Sequence, residues 1–379
     1  MHRFQLKQDP FRRALLRAAV PALLPLPRVW AAALPSVPAS APTSAPASTP
    51  MPAPAPVAVP TAPPGEYGTQ PRVAALAAAL AHANGLPPAW VEAQLAQARF
   101  NPAVVQLMLP GKPMQKNWTL YRSRFVEPPR IAAGVAFAHQ HGRWLRRAQH
   151  RFGVPQAVLL GILGVETYYG RIMGNFHVLD ALATLALDWP AAAPTDRSAF
   201  FAAQLGDFLR WCRAGGRDPR SVLGSYAGAI GMAQFMPESI LRWGLSSRRG
   251  APVDLGGRAA DAILSIGNFL AGHGWTPGQP CGFALSAPPA VDAATLERLL
   301  APDIVPSFRA AQLEAAGLKL DAAARAYPGL LSLLRLPNGD DAPSWRLGTA
   351  NFFVLTRYNH SALYAQAVLD LGSAVVASA

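Results

Sequence analysis

Along most of the chain apolar residues recur with helical spacing. Val73–Leu80 and Trp90–Gln97 open the folded part, which begins near Arg72, and Pro88 stands where helix starts favour proline. Ile131–Phe152 sets apolar positions among Arg and His. Gly153-Val154-Pro155 then ends one helix and starts the next, whose apolar run Ala157–Val165 closes on Glu166. Leu179–Leu187, Ala199–Arg213 and Ala259–Gly272 predict three further helices. Ser225–Pro237 is Gly-rich and polar at its start and then reads as helical; Phe352–Leu371 is strongly helical in spacing. Between about Pro277 and Ala350 the pattern loosens. There Phe283–Leu285 and Trp345–Leu347 read as short strands and Asn338-Gly339-Asp340 as a turn. The pattern predicts a mainly α fold with a minor β region and no internal repeat.

The first 72 residues follow other rules. A basic stretch precedes the moderately apolar Ala14–Ala33, and Trp30-Ala31-Ala32-Ala33-Leu34 allows cleavage after Ala33, so residues 1–33 read as an export signal. Phe11-Arg12-Arg13-Ala14-Leu15-Leu16-Arg17 imperfectly resembles a twin-arginine signal. Arg17, Pro21, Pro25, Pro27 and Arg28 interrupt the apolar run, which argues against a stable membrane span; an amphipathic surface anchor is the weaker alternative. Residues 34–64 hold 11 Pro among Ala, Ser and Thr. Too little side chain is available there to offset ordering entropy, so 34–68 is expected as a disordered linker.

Composition narrows the class. Apolar residues make up 51% of the 379 and charged ones 15%, which excludes a disordered or coiled-coil protein. The formal charge is +13, and +8 once the first 33 residues, with six basic side chains and one acid, are set aside. Such a balance suits nucleic acid, anionic lipid or an acidic polymer such as peptidoglycan. No interleaved basic and aromatic stripe or nucleic-acid motif is present, which ranks nucleic acid last. Cys212 and Cys281 are the only cysteines; they are as compatible with two free thiols as with a disulfide. No Cys-x-x-Cys exists and the eight His are scattered, so no metal site is expected.

Glu166 carries the candidate chemistry. A carboxylate ending so apolar a run is poorly solvated when ionised, so its pKa is expected to rise and hold a proton near neutrality, as a general acid must. Alone, it reads better as a helix-end Glu reaching water or a salt bridge. Further motifs reverse that preference. Gly164-Val165-Glu166-Thr167-Tyr168-Tyr169-Gly170-Arg171 is followed by Val178–Leu185, then by Gly224-Ser225-Tyr226-Ala227-Gly228-Ala229-Ile230-Gly231-Met232-Ala233-Gln234-Phe235-Met236-Pro237. Ala271-Gly272-His273-Gly274-Trp275 comes next, and Asn351-Phe352 with Thr356-Arg357-Tyr358-Asn359-His360 comes last. In this order and spacing they closely resemble the lytic murein transglycosylase B family (glycoside hydrolase family 103) over nearly all of 72–372.

The resemblance implies a lysozyme-like helical core flanked by an α region and a smaller β-containing region. It places the catalytic domain at 69–372 and leaves 373–379 as a C-terminal tail. It makes Glu166 the single acid/base and Ser225 the residue that hydrogen-bonds and positions it. Gln234, Phe235, Met236, Tyr358, Asn359 and Tyr364 would bind or line the path of the sugar. Plain structural roles stand beside these: Ser225 as a helix cap, Gln234 as a surface residue, Phe235 and Met236 as partly core, and Tyr358 and Asn359 as a turn. Asp180 reads as a structural hydrogen-bonder, and Glu238 as solvent-facing.

The implied reaction cleaves the MurNAc–GlcNAc bond of peptidoglycan by internal attack of the C6 hydroxyl, giving 1,6-anhydro ends without a cofactor. The implied site of action is the periplasm, with cell-wall synthesis or division complexes as candidate partners. A lysozyme-type muramidase and a non-catalytic peptidoglycan-binding scaffold are the alternatives. Two departures from the family matter. Many relatives carry an Asp-rich calcium loop before the helix matching Ala259–Gly272, whereas Leu245–Asp254 offers Ser and Arg there, so no calcium is expected. Relatives often place two Arg after the match to Trp189-Pro190, where this chain has Ala191-Ala192-Ala193 and only Arg197 nearby.

Overall fold

The computed structural model describes residues 67–68, 70–109, 116–285 and 287–379. The expected export signal and nearly all of the expected linker lie outside these. Tyr67, assigned to the linker's end, belongs to the folded body: it is 2% exposed and its hydroxyl donates to Asp188 at 2.6 Å.

Two antiparallel partners form the centre: α6 (Gln156–Thr167) and α15 (Ala362–Ala377). Nine of the twelve α6 residues are buried, which is why its sequence lacks a polar face. Their backbones meet because Gly161 and Gly372 carry no side chain. A Cβ on Gly161 would overlap the Val368 carbonyl, and one on Gly372 the Ala157 carbonyl. Around this pair stand α5 (Pro128–Phe152), α7 (Val178–Leu187), α8 (Ser198–Ala214), α9 (Pro237–Trp243) and α10 (Ala259–Gly272). The N-terminal helices α1 (Pro71–Asn84), α2 (Pro88–Ala96), α3 (Pro102–Met108) and α4 (Trp118–Ser123) extend one side. Four of the first five helices begin on proline, as the sequence leads one to expect for α2. The buried set runs continuously from Val73 and Leu95 through Leu159 and Leu182 to Leu371.

The β region is a three-stranded antiparallel sheet in the order β3 (Gly282–Ala284), β5 (Asp341–Gly348), β4 (Ser332–Asn338). Gly339 and Asp340 turn β4 into β5, as expected. Alternation divides the sheet between two cores. Leu334 and Leu336 join the main core. Leu333 and Leu347, cross-strand partners, pack with Leu299 and Leu313 of α11 (Ala293–Leu300) and α12 (Ala310–Ala315). The short α13 (Ala322–Ala326) closes that second core through Ala324.

Three further sequence expectations need correction. Ser225–Phe235 contains no helix; it is a loop of turns with bridges Gly224↔Ile230 and Ile230↔Phe235, and helix begins at Pro237. Positive φ at Gly228, Gly231 and Gln234 breaks any helical run. The final helical stretch is two helices, α14 (Ala350–Leu355) and α15, separated by a turn holding Tyr358 and Asn359. The segment expected as a tail is mostly helix, since α15 continues to Ala377 with Val375 fully buried.

Candidate active site

Glu166 sits on the last turn of α6, and the chain's abrupt exit from that helix sets its position. Tyr168, Tyr169 and Gly170 take φ of 52°, 59° and 85°, three left-handed residues in succession. Two are tyrosines, which adopt this conformation only when their surroundings demand it. The demand is visible: Tyr169 N–H reaches back to Leu163 O at 3.0 Å and Tyr168 N–H to Gly164 O at 3.2 Å, closing the helix's free carbonyls. Arg130 of α5, 6% exposed, donates from Nη1 to Gly164 O at 2.9 Å and lies over the Tyr168 ring at 4.4 Å. Thr167 donates from Oγ1 to Met232 O and accepts from Gly170 N–H, each at 3.0 Å. Neither Arg130 nor Thr167 stands out in the sequence. The available signals are a lone Arg on the apolar stripe Arg130, Ala133, Phe137, and a Thr directly after the candidate acid.

The carboxyl of Glu166 is enclosed although one edge of the residue stays accessible. Burial pushes its pKa up from 4.5 to about 7, and the hydrogen bond from Tyr364 Oη to Oε1, at 2.5 Å, pulls the other way. The position at a helix C-terminus acts in the same direction as burial. Tyr364, 1% exposed, is itself held well above the usual phenol range by burial and by the facing carboxylate. Tyr358 stacks on Tyr364 with ring centres 6.3 Å apart and planes at 15°. Its hydroxyl donates to Ala233 O at 2.5 Å, tying the turn before α15 to the glycine-rich loop. Tyr121 of α4 also faces the site. Its phenol is raised by burial and, next, by the charge of Glu166. Sequence alone does not single it out, because a Tyr on a short helix carries no pattern.

The other predicted residues divide by role. Ser225 stands at the start of the loop, directly after β2 (Leu223–Gly224), which pairs with β1 (Phe176–His177). Its Oγ accepts from Ala229 N–H at 3.0 Å and makes no hydrogen bond to Glu166. The expected contact to the acid therefore belongs to Tyr364, and Ser225 holds its own loop shut. Gln234, at φ 48°, donates from Nε2 to Gly231 O at 2.9 Å and Met173 O at 3.1 Å, clamping the loop to the segment after Glu166. Phe235 is 2% exposed and packs its ring, tilted, against Phe269 and Tyr358, so it is a wall behind the site rather than its lining. Met236 and Asn359 are half-buried. Asp180 accepts from Arg99 N–H at 2.9 Å, the structural role expected of it, and Glu238 is exposed. Arg197 lies over the Phe200 ring at 4.6 Å. Cys212 and Cys281 are free thiols, each pushed up to about 12 by burial. Among the described residues no three His, Cys, Asp or Glu side chains converge as a metal site would require.

A helical core with a small flanking sheet, and an enclosed Glu at a helix C-terminus whose pKa burial raises, fit a lysozyme-like glycan-cleaving enzyme. Residues 68–373 match the transglycosylase SLT domain. The chain is 37% identical over 262 residues to membrane-bound lytic murein transglycosylase B of Escherichia coli, covering 68% of this chain and 67% of that one. Its fold is similar to the E. coli lytic transglycosylase Slt35, solved with bulgecin A and with calcium. The bulgecin complex is 32% identical at TM-score 0.71, covering 83% of this chain and 96% of that one. It is also similar to Pseudomonas aeruginosa SltB3 in complex with NAG-anhNAM-pentapeptide, 28% identical at TM-score 0.68, with coverage of 79% and 78%. The chain belongs to the transglycosylase SLT family and is a lytic murein transglycosylase of the B type.

Proposed function

We propose that the chain cleaves the β-1,4 bond between MurNAc and GlcNAc in peptidoglycan strands of the periplasm, leaving 1,6-anhydroMurNAc ends, with Glu166 as its one acid and base. The observation that carries this is the company Glu166 keeps. Among the described residues its charge couples to Tyr121, Tyr358 and Tyr364, and no Asp or Glu contributes to its shift. A retaining or inverting glycosidase needs a second carboxylate across the bond. With one, we assign the nucleophile to the substrate's own C6 hydroxyl.

Glu166, protonated near neutrality, gives its proton to the leaving glycosidic oxygen as positive charge grows at the MurNAc anomeric carbon. The resulting carboxylate, aligned by Tyr364, takes the proton of the C6 hydroxyl as that oxygen closes on C1. An internal hydroxyl has the proximity advantage over bulk water. The half-buried Tyr358, Asn359, Gln234 and Met236 are the side chains we assign to sugar contact, with Ser225 and Phe235 supporting the loop. The anhydro-sugar ligand of SltB3 supports the product assigned here. The export signal expected of residues 1–33 supports the compartment. No helix among the described residues is long and apolar enough to cross a membrane.

The test is digestion of purified sacculi by the mature protein and by Glu166→Gln, with mass spectrometry of the released muropeptides. Anhydromuropeptides from the wild type alone are expected, the variant losing about 10²–10⁴-fold in rate. Reducing ends would assign the chain to the hydrolases, and sacculus binding without products would make it a scaffold.

A further inference from the structure

The segment before α10 does not fit the calcium that Slt35 holds. A calcium loop needs six to eight oxygen ligands free to face one ion. Here the oxygens are already occupied by N–H donors. Asp261, 0% exposed, accepts from Ser247 N–H at 2.8 Å, Asp254 N–H at 2.9 Å, and Arg258 Nε and Nη2 at 3.0 and 2.8 Å. The same Arg258 Nη2 donates to Pro252 O, and Nη1 lies 3.9 Å from Asp254 Oδ2. Asp254 Oδ1 is taken by Gly257 N–H at 2.8 Å, and Val253 O by Arg217 Nη2. Two guanidinium groups stand where an entering divalent cation would meet repulsion.

We infer that Arg258 is a built-in cation, gathering the carboxylates and a carbonyl of Pro252–Asp261 as a metal ion would, and that through this loop it positions the catalytic helix end. The route is continuous. Leu255, between the gathered oxygens, accepts from Met232 N–H at 2.8 Å, and Gly231 lies so close that a Cβ would meet Leu255 at about 2.5 Å. Met232 O in turn receives Thr167 Oγ1, next to Glu166. A guanidinium suits the task because its fixed fork serves several oxygens at once, which an ammonium cannot reproduce. Arg258 is thus a positioning residue, and the segment is independent of divalent ions.

The experiment melts the full chain in EDTA and in calcium chloride and follows kinetics on sacculi. Wild type is expected to melt within about 1 °C in the two buffers, since nothing binds the folded state selectively. Arg258→Ala leaves Asp261 buried and unpaired, and should melt roughly 5–10 °C lower. Arg258→Lys should recover part of this. The double variant Arg258→Gln with Asp261→Asn should recover more than Arg258→Ala, having no stranded charge. Assayed well below its melting temperature, Arg258→Ala should lose about tenfold in kcat with KM nearly unchanged. A calcium-dependent rise in wild-type stability would overturn the inference, as would an Arg258→Ala variant that melts like wild type. A lowered melting temperature with kcat intact would overturn the positioning role. The kinetic arm rests on the transglycosylase reading and the calcium arm does not, so the two fail separately.

Discussion

At Glu166 burial and hydrogen bonding oppose one another, and each can be removed separately. Tyr364 stabilises the carboxylate, so Tyr364→Phe should raise the Glu166 pKa further above about 7. In the proposed reaction the acid acts protonated, so the alkaline limb of the pH–rate profile should then move upward by up to about one pH unit. A downward move would mean that Tyr364 serves the protonated form instead. Burial has a thermodynamic signature as well. The folded protein holds this proton above the unfolded pKa of 4.5. The associated stability is complete below pH 4.5 and disappears as pH rises through about 7. Glu166→Gln should therefore gain on wild type across that window, by up to about 3 kcal/mol at pH 8. Urea melts at pH 4.5 and pH 8 check the sign. Glu166 is legible in sequence because apolar neighbours surround it. Tyr364 as its hydrogen-bond partner is not, since 198 residues separate them and only the fold brings them together.

At the level of helices and strands, legibility follows the strength of periodicity. The sequence pattern matches both ends of α10, and those of α7 and α8 to within one residue. The loop after Ser225 imitates a helix because Ala, Ile, Met and Phe keep helical spacing while glycine and the left-handed Gln234 set the backbone. Strand β4 is hidden since Ser332–Asn338 carries four leucine or proline positions in a run that helix and strand serve equally. The Gly161 contact gives the sharpest test of element packing. Gly161→Ala should cost about 2–3 kcal/mol by driving α6 from the Val368 backbone. Gly142→Ala on α5, where a Cβ meets only the tip of Arg146, should gain up to about 1 kcal/mol. Thermal melts of the two variants against wild type should move in opposite directions.

On the scale of the whole molecule, excess positive charge meets a polymer rich in carboxylates. With +8 left after the first 33 residues, binding to sacculi should weaken several-fold between about 50 and 500 mM salt, measured by co-sedimentation. Binding indifferent to salt would place recognition in neutral sugar contacts alone. The main architecture is legible as a mainly α body with a late β insert. That the small sheet serves two cores is not, because no pattern in one strand reveals what covers each face.

The meeting of α6 with α15 also makes the acid depend on a helix far along the chain. The chain emerges from the ribosome amino end first, so a half-made molecule holds the acid on α6 without the phenol that aligns it. A chain stopped before Ser361 is accordingly expected to release no muropeptides from sacculi. A wall-degrading protein clipped of that helix would disarm itself.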